Sequence, residues 1–123
     1  MNRIMFLKIF ISIILFNIFS CSDIFEIDIS NEEVELLAPS DGLVTTEQLQ
    51  RLWWTSVTGS LWYELQVVSP SFSEISSVKI DTVLKNNYLQ LSLQPGFYQW
   101  RVRAINGASC TRFSIRTFEI DTL

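Results

Sequence analysis

From Val34 to the C-terminus, apolar and polar residues alternate in short runs broken by turn residues. The cleanest run follows the corner Gln94-Pro95-Gly96: Tyr98, Trp100, Val102 and Ala104 fall on one side, Gln99, Arg101 and Arg103 on the other. Period-two alternation marks a strand with one dry and one wet face. A dry face needs a second layer to cover it, so this strand predicts a sandwich. The same reading places strands at Val34–Ala38, Leu49–Val57, Tyr63–Val68, Ser77–Leu84, Leu89–Leu93 and Arg112–Ile120. No stretch among them carries helical spacing.

The connections carry their own chemistry. Pro39 ends the first strand, and Ser40-Asp41-Gly42 then supplies a turn. Thr45 to Gln48 is polar and connects, Thr58-Gly59-Ser60 turns, and Phe72 to Ser77 reads as loop with Phe72 or Ile75 tucked under the sandwich. Asn106-Gly107 is a hairpin signal. Leu52 and Trp54 share the inner face of their strand, with Arg51 and Trp53 outside. Leu49 is out of phase with the inner pair, which predicts a bulge or a late start. Phe118 and Ile120 are out of phase with Phe113 and Ile115, which predicts a bulge near Arg116-Thr117.

Seven short strands with turns between them fit an all-β, immunoglobulin-like sandwich. Leu52, Trp54, Tyr63 and Leu93-x-Pro-Gly-x-Tyr98, leading into Trp100-x-Val102-x-Ala104, resemble a fibronectin type III module. The resemblance runs over 34–123. It implies that Trp54 is the central core tryptophan. It also implies that Tyr98 is a tyrosine corner, its hydroxyl tied to backbone upstream.

The first twenty residues differ from the rest. They hold Arg3, Lys8 and no acid, and Ile9 to Phe19 is almost wholly apolar. About 20 apolar residues span a bilayer, so this shorter run reads as a signal peptide over 1–20. A membrane anchor or a buried core helix is the alternative. Ile18-Phe19-Ser20-Cys21 resembles the lipobox of bacterial lipoproteins. That resemblance implies cleavage before Cys21, lipidation of its sulfur and acylation of the new amino end. Each buried methylene contributes about 0.8 kcal/mol, so several chains would hold a domain at a membrane without a spanning helix.

Residues 21–33 read as an acidic tether. Asp23, Glu26, Asp28, Glu32 and Glu33 repel one another, while Ile24, Phe25, Ile27 and Ile29 allow it to lie partly along the domain. Acids close behind the cysteine resemble the export signals of Bacteroidetes-type surface lipoproteins, with Ser22-Asp23 as a partial match. The expected location is the bacterial outer membrane, lipid-anchored and facing the periplasm or the surface.

Composition narrows the chemistry. With no histidine, Ser-His-Asp and Cys-His catalysis and the common zinc sites are excluded. The formal charge is −4 although two cations sit in the leading segment, so the rest is more acidic still and unsuited to nucleic acid. No phosphate loop, metal cluster or activated nucleophile is legible, and no cofactor is implied. The expectation is a non-catalytic protein. Cys110 reads as a small semi-buried residue, with a disulfide to Cys21 as the rival.

Exposed aromatics and arginines are the remaining candidates, because such residues are enriched at binding hot spots. Trp62 is expected on one sheet face with Arg101 and Arg103, near Glu64. Trp53 is expected on the other sheet beside Tyr88, and Phe97 in the corner. The alternative is that arginine stems cover these rings. The reading is a lipid-anchored envelope binding or adhesion module that recognises a protein partner. A carbohydrate-binding lipoprotein and a structural spacer or assembly subunit are the alternatives.

Overall fold

The computed structural model describes residues 26–123, so the signal segment and Cys21 lie outside the described residues. Eight strands follow in order: β1 Leu36–Ala38, β2 Leu43–Thr45, β3 Leu49–Trp54, β4 Trp62–Ser71, β5 Glu74–Leu84, β6 Tyr88–Ser92, β7 Gly96–Ile105 and β8 Ser114–Ile120. They form two layers, β1-β3-β6 and β2-β8-β7-β4-β5. This is the expected sandwich with one strand added.

The additional strand is β2, in a stretch read as turn and connection. After Pro39 the chain leaves the smaller sheet, and Leu43–Thr45 runs parallel to the end of β8. The Asp41 carboxylate accepts from Thr117 N at 3.0 Å, and Gly42 N donates to Thr117 O at 2.8 Å. Those two bonds pin the crossing and set the register of Leu43 against Phe118.

Alternation decides what each strand buries. Leu52 and Trp54 of β3, Leu65 and Val67 of β4, and Trp100, Val102 and Ala104 of β7 are fully buried between the layers. Trp54 meets Tyr63 edge-on at 5.6 Å, and Tyr98 stacks on Phe118 at 5.5 Å. Two tyrosines use their polar ends to fasten loops. Tyr63 Oη accepts from Val57 N at 2.9 Å, and Tyr98 Oη donates to Gln94 O across the corner. Burial pushes the Tyr98 phenol above its ordinary value of 10.0.

Several local expectations are corrected. β3 runs in unbroken register from Leu49 opposite Ser92 to Trp53 opposite Tyr88, so Leu49 starts the strand facing outward and no bulge is needed. β8 likewise pairs with β7 without a break from Ser114 to Ile120. Phe113 and Ile115 lie on the outer side, and apolar outward residues had suggested a phase change. The irregularities fall instead between β4 and β5, at Val67/Val68 and Ser69/Pro70, and in β1 between Leu36 and Ala38 where it pairs with β3. β5 begins at Glu74, so most of the serine-rich stretch is strand. Its Ile75 is exposed, and Phe72 lies over the outer face. Asn106-Gly107 does open a turn, but one of four residues: Asn106 N donates to Ser109 O at 3.0 Å and Ile105 bridges Cys110 antiparallel, before β8 begins at Ser114.

Asn106 has a larger task. Its Nδ2 donates to Ile27 O at 2.7 Å and to Gly59 O at 3.1 Å, and its Oδ1 accepts from Ala108 N and Ser109 N. Ser109 Oγ in turn accepts from Ile29 N at 3.0 Å, and Ile29 is fully buried. Gly59 holds φ +90°, and a β-carbon there would meet Ile29 Cγ2 at 3.1 Å. Close approach therefore favours glycine at 59 beyond its backbone angle. The acidic segment is thus seated on the sandwich by the Ile29 side chain and the Ile27 carbonyl, while Ile27, Asp28, Glu32 and Glu33 stay exposed. The Ser30 hydroxyl, together with the Ser30 N–H, holds the Asp28 carboxyl below its ordinary value.

Candidate functional site

The outer face of the larger sheet brings three of the predicted residues onto one surface. Antiparallel register sets Trp62 opposite Ile105, Glu64 opposite Arg103 and Gln66 opposite Arg101. Arg103 Nε donates to Glu64 Oε2 at 2.6 Å, and Arg101 Nε donates to Gln66 Oε1 at 2.7 Å. Each arginine is therefore oriented by the residue directly across the strand pair. Partners so placed follow from the fixed spacing of paired strands.

Two phenylalanines complete the arrangement. The Arg101 guanidinium lies 4.0 Å from the Phe72 ring and 4.2 Å from the Phe113 ring, and Arg103 stands 4.7 Å from Phe113. The result is a ladder of ring, cation, ring, cation across β4, β7 and the start of β8. Cations held over ring faces are worth about 0.5–1 kcal/mol each at exposed sites. Phe72 N also donates to Gln99 Oε1 at 2.7 Å, which fixes the β4–β5 turn over the face. Phe72 and Phe113 are not legible in the sequence as ladder members, because one sits in a turn and the other precedes a strand. The available signal was an arginine pair at i and i+2, which places both side chains on one face.

Trp62 shares the face but stands outside the ladder, over Ile105 at the end where β4 begins. Trp53 is on the opposite side of the sandwich. There Arg51 lies 4.4 Å from the Tyr88 ring and 5.9 Å from the Trp53 ring. The four candidates therefore form two separate patches. Phe97 belongs to neither and lies exposed at the start of β7. Cys110 is exposed, with its Sγ 3.9 Å from Arg103 Nη1. Among the described residues, no three metal-ligating side chains come together.

Thr111 is the buried polar residue beside this face. Its hydroxyl accepts from Ala104 N at 3.0 Å and donates to Arg112 O at 2.9 Å, so it serves the backbone of β7 where β8 has not yet begun. Chemically the face offers rigid cations and flat rings, with the arginine Nε atoms already engaged.

No family model matches the chain, and no curated protein matches it. Solved structures do. The fn3 domain of human collagen alpha-1(XX) chain aligns with a TM-score of 0.56 at 18% identity, over 76% of this chain and 91% of that one. The fibronectin(III)-like modules of Clostridium thermocellum CbhA align with a TM-score of 0.53 at 11% identity, over 73% and 98%. The chain therefore has the fibronectin type III fold, shared with human and bacterial modules.

Proposed function

We propose that this protein is a lipid-anchored binding module of a bacterial outer membrane that recognises a protein partner without catalysis. The observation that carries the reading is the outer face of the larger sheet. Its interior is satisfied by the arginine ladder, yet Val44, Trp62, Ile75, Val78, Phe97 and Ile115 remain substantially exposed on that sheet's strands. The smaller sheet exposes Leu37, Leu49, Trp53 and Tyr88 as well, but the larger sheet carries more, and exposed apolar residues grouped on a face favour an interaction surface over a spacer. The lipobox-like Ile18-Phe19-Ser20-Cys21 supports the anchor.

Two measurements test this. Mass spectrometry of the mature chain is expected to find Cys21 as the acylated N-terminal residue; a bare Cys21 removes the anchor. Cross-linking in native membranes is expected to capture a defined protein through the outer face. Loss of capture on changing Trp53 while the larger sheet is untouched would move the site to the other layer. No stoichiometric capture at all would leave a spacer.

A further inference from the structure

The N-terminal segment joins the sandwich at one pole, where Asn106, Gly59 and Ser109 hold Ile27 and Ile29. The start of β7 and the end of β8 lie at the other pole. There the register sets Val44 beside Glu119 and Glu119 beside Phe97. These three are on the outer side, since Phe118 and Ile120 between them point into the core. Phe97 is 62% exposed and Val44 58%. Ser69 Oγ donates to Phe97 O at 2.7 Å, which holds the end of β4 against this strand. A groove of about 240 Å³ opens here, bounded by Val44, Phe97, Pro70, Thr117 and Glu119.

Glu119 is the charged residue of that lining. It is partly buried, and among the described residues the ion pair formed is Arg103 with Glu64, so Glu119 is without a salt bridge. An apolar groove with one uncompensated carboxylate at its wall selects its occupant by charge.

We propose that this groove docks a protein segment presenting a bulky apolar side chain next to a lysine or arginine. The proposal rests on the binding-module reading and names its site. The apolar side chain would cover Phe97 and Val44, and the cation would meet Glu119. A sugar ring also stacks on an aromatic face, but it needs polar partners around its rim. The polar side chains of the lining are Thr117, Glu119 and Tyr98, and the Tyr98 hydroxyl is already donated to Gln94 O. Position agrees with the anchor. From Cys21 to Glu26 the chain reaches at most about 18 Å, so the pole holding Ile27 stays near the bilayer. The groove, at the opposite pole, then faces away from it.

The test uses detergent-solubilised full-length protein and fluorescent Gly–Ser peptides carrying one central leucine or phenylalanine. One set flanks it with lysines, the other with glutamates. The lysine set is expected to bind saturably and about tenfold or more tighter. Glu119→Lys is expected to reverse that preference. Phe97→Ser is expected to abolish binding while leaving the thermal melt unchanged, and Trp53→Ser, on the other layer, to leave binding intact. Equal affinity for both sets, no saturable binding, or a preference insensitive to Glu119→Lys overturns the groove. So does binding of neutral oligosaccharides that Phe97→Ser removes. Cross-linking in native membranes separates the two readings. Capture of a partner that survives Phe97→Ser sinks the groove and leaves the binding module; absence of any partner sinks both.

Discussion

The two faces of β7 carry opposite chemistry. Inward, Tyr98, Trp100, Val102 and Ala104 are sealed between the sheets; outward, Gln99, Arg101 and Arg103 are half-buried and joined to polar partners across the strands. The inner face is held by apolar area removed from water, which does not depend on direction. The outer face is held by oriented hydrogen bonds and ring contacts, each modest and open to solvent. Stability therefore concentrates on one side of the strand, and freedom to change sequence on the other. A binding surface can vary on the outer side without threatening the fold.

The largest effect tests the inner face. Trp54→Ala is expected to cost about 3–5 kcal/mol, a large part of the roughly 5–15 kcal/mol that holds a small domain together. Its neighbour Trp53, on the wet side of the same strand, is expected to lose less than about 1 kcal/mol, mostly its contact with Arg51. Denaturant melts of the two variants measure this directly. Equal losses would erase the distinction between the faces.

Tyr98→Phe removes the hydroxyl that donates to Gln94 O and leaves that carbonyl without its partner. About 1–2 kcal/mol is expected to be lost near neutral pH. The pH dependence sharpens the test. The folded phenol titrates above its ordinary 10.0 because burial disfavours the phenolate. Its contribution is intact below about pH 10 and is lost as pH climbs from there toward the raised folded value. The wild-type protein is thus expected to lose stability on that alkaline limb, and Tyr98→Phe to flatten it. Parallel limbs would show that the phenol is not desolvated.

Much of the inner face was legible because burial on one side of a strand writes a two-residue period into the chain. Trp54, Tyr98 and Trp100 could be placed from that period and the Pro-Gly corner alone. The outer face was less legible for a physical reason. Parity says which residues share a side, but it does not say which side is inside when both are apolar. Phe113 and Ile115 look like core and lie outside, and so a bulge was inferred that the register excludes. Asn106 shows a second limit. The local Asn-Gly signal marked a turn that forms, but not the bonds of the Asn106 amide to Ile27 and Gly59, each far along the chain. Contacts of that range leave no trace in neighbouring residues. The same holds for Phe72, whose partner Arg101 is brought to it by pairing of β4 with β7.

The ladder gives an intermediate effect. Arg101→Ala removes the cation between two rings and the bond to Gln66, and is expected to cost about 1 kcal/mol. Arg103→Ala is expected to cost less than about 1 kcal/mol, because its ion pair with Glu64 is partly solvated. The two losses are expected to be non-additive, since both cations share Phe113. A double-mutant cycle reads that coupling, and strict additivity would mean the ladder is two independent contacts.

The smallest effect is the one that joins the two faces to function. Trp62 lies on the ladder's surface but outside its contacts, 36% exposed over Ile105. Trp62→Ala is expected to change stability by less than about 0.5 kcal/mol, the range of surface substitutions away from special features. A larger loss would mean that Trp62 is structural and that the outer face extends the core at this end. A loss that small, beside a tryptophan in the next layer worth several times more, leaves Trp62 free to be selected for what it touches outside the molecule.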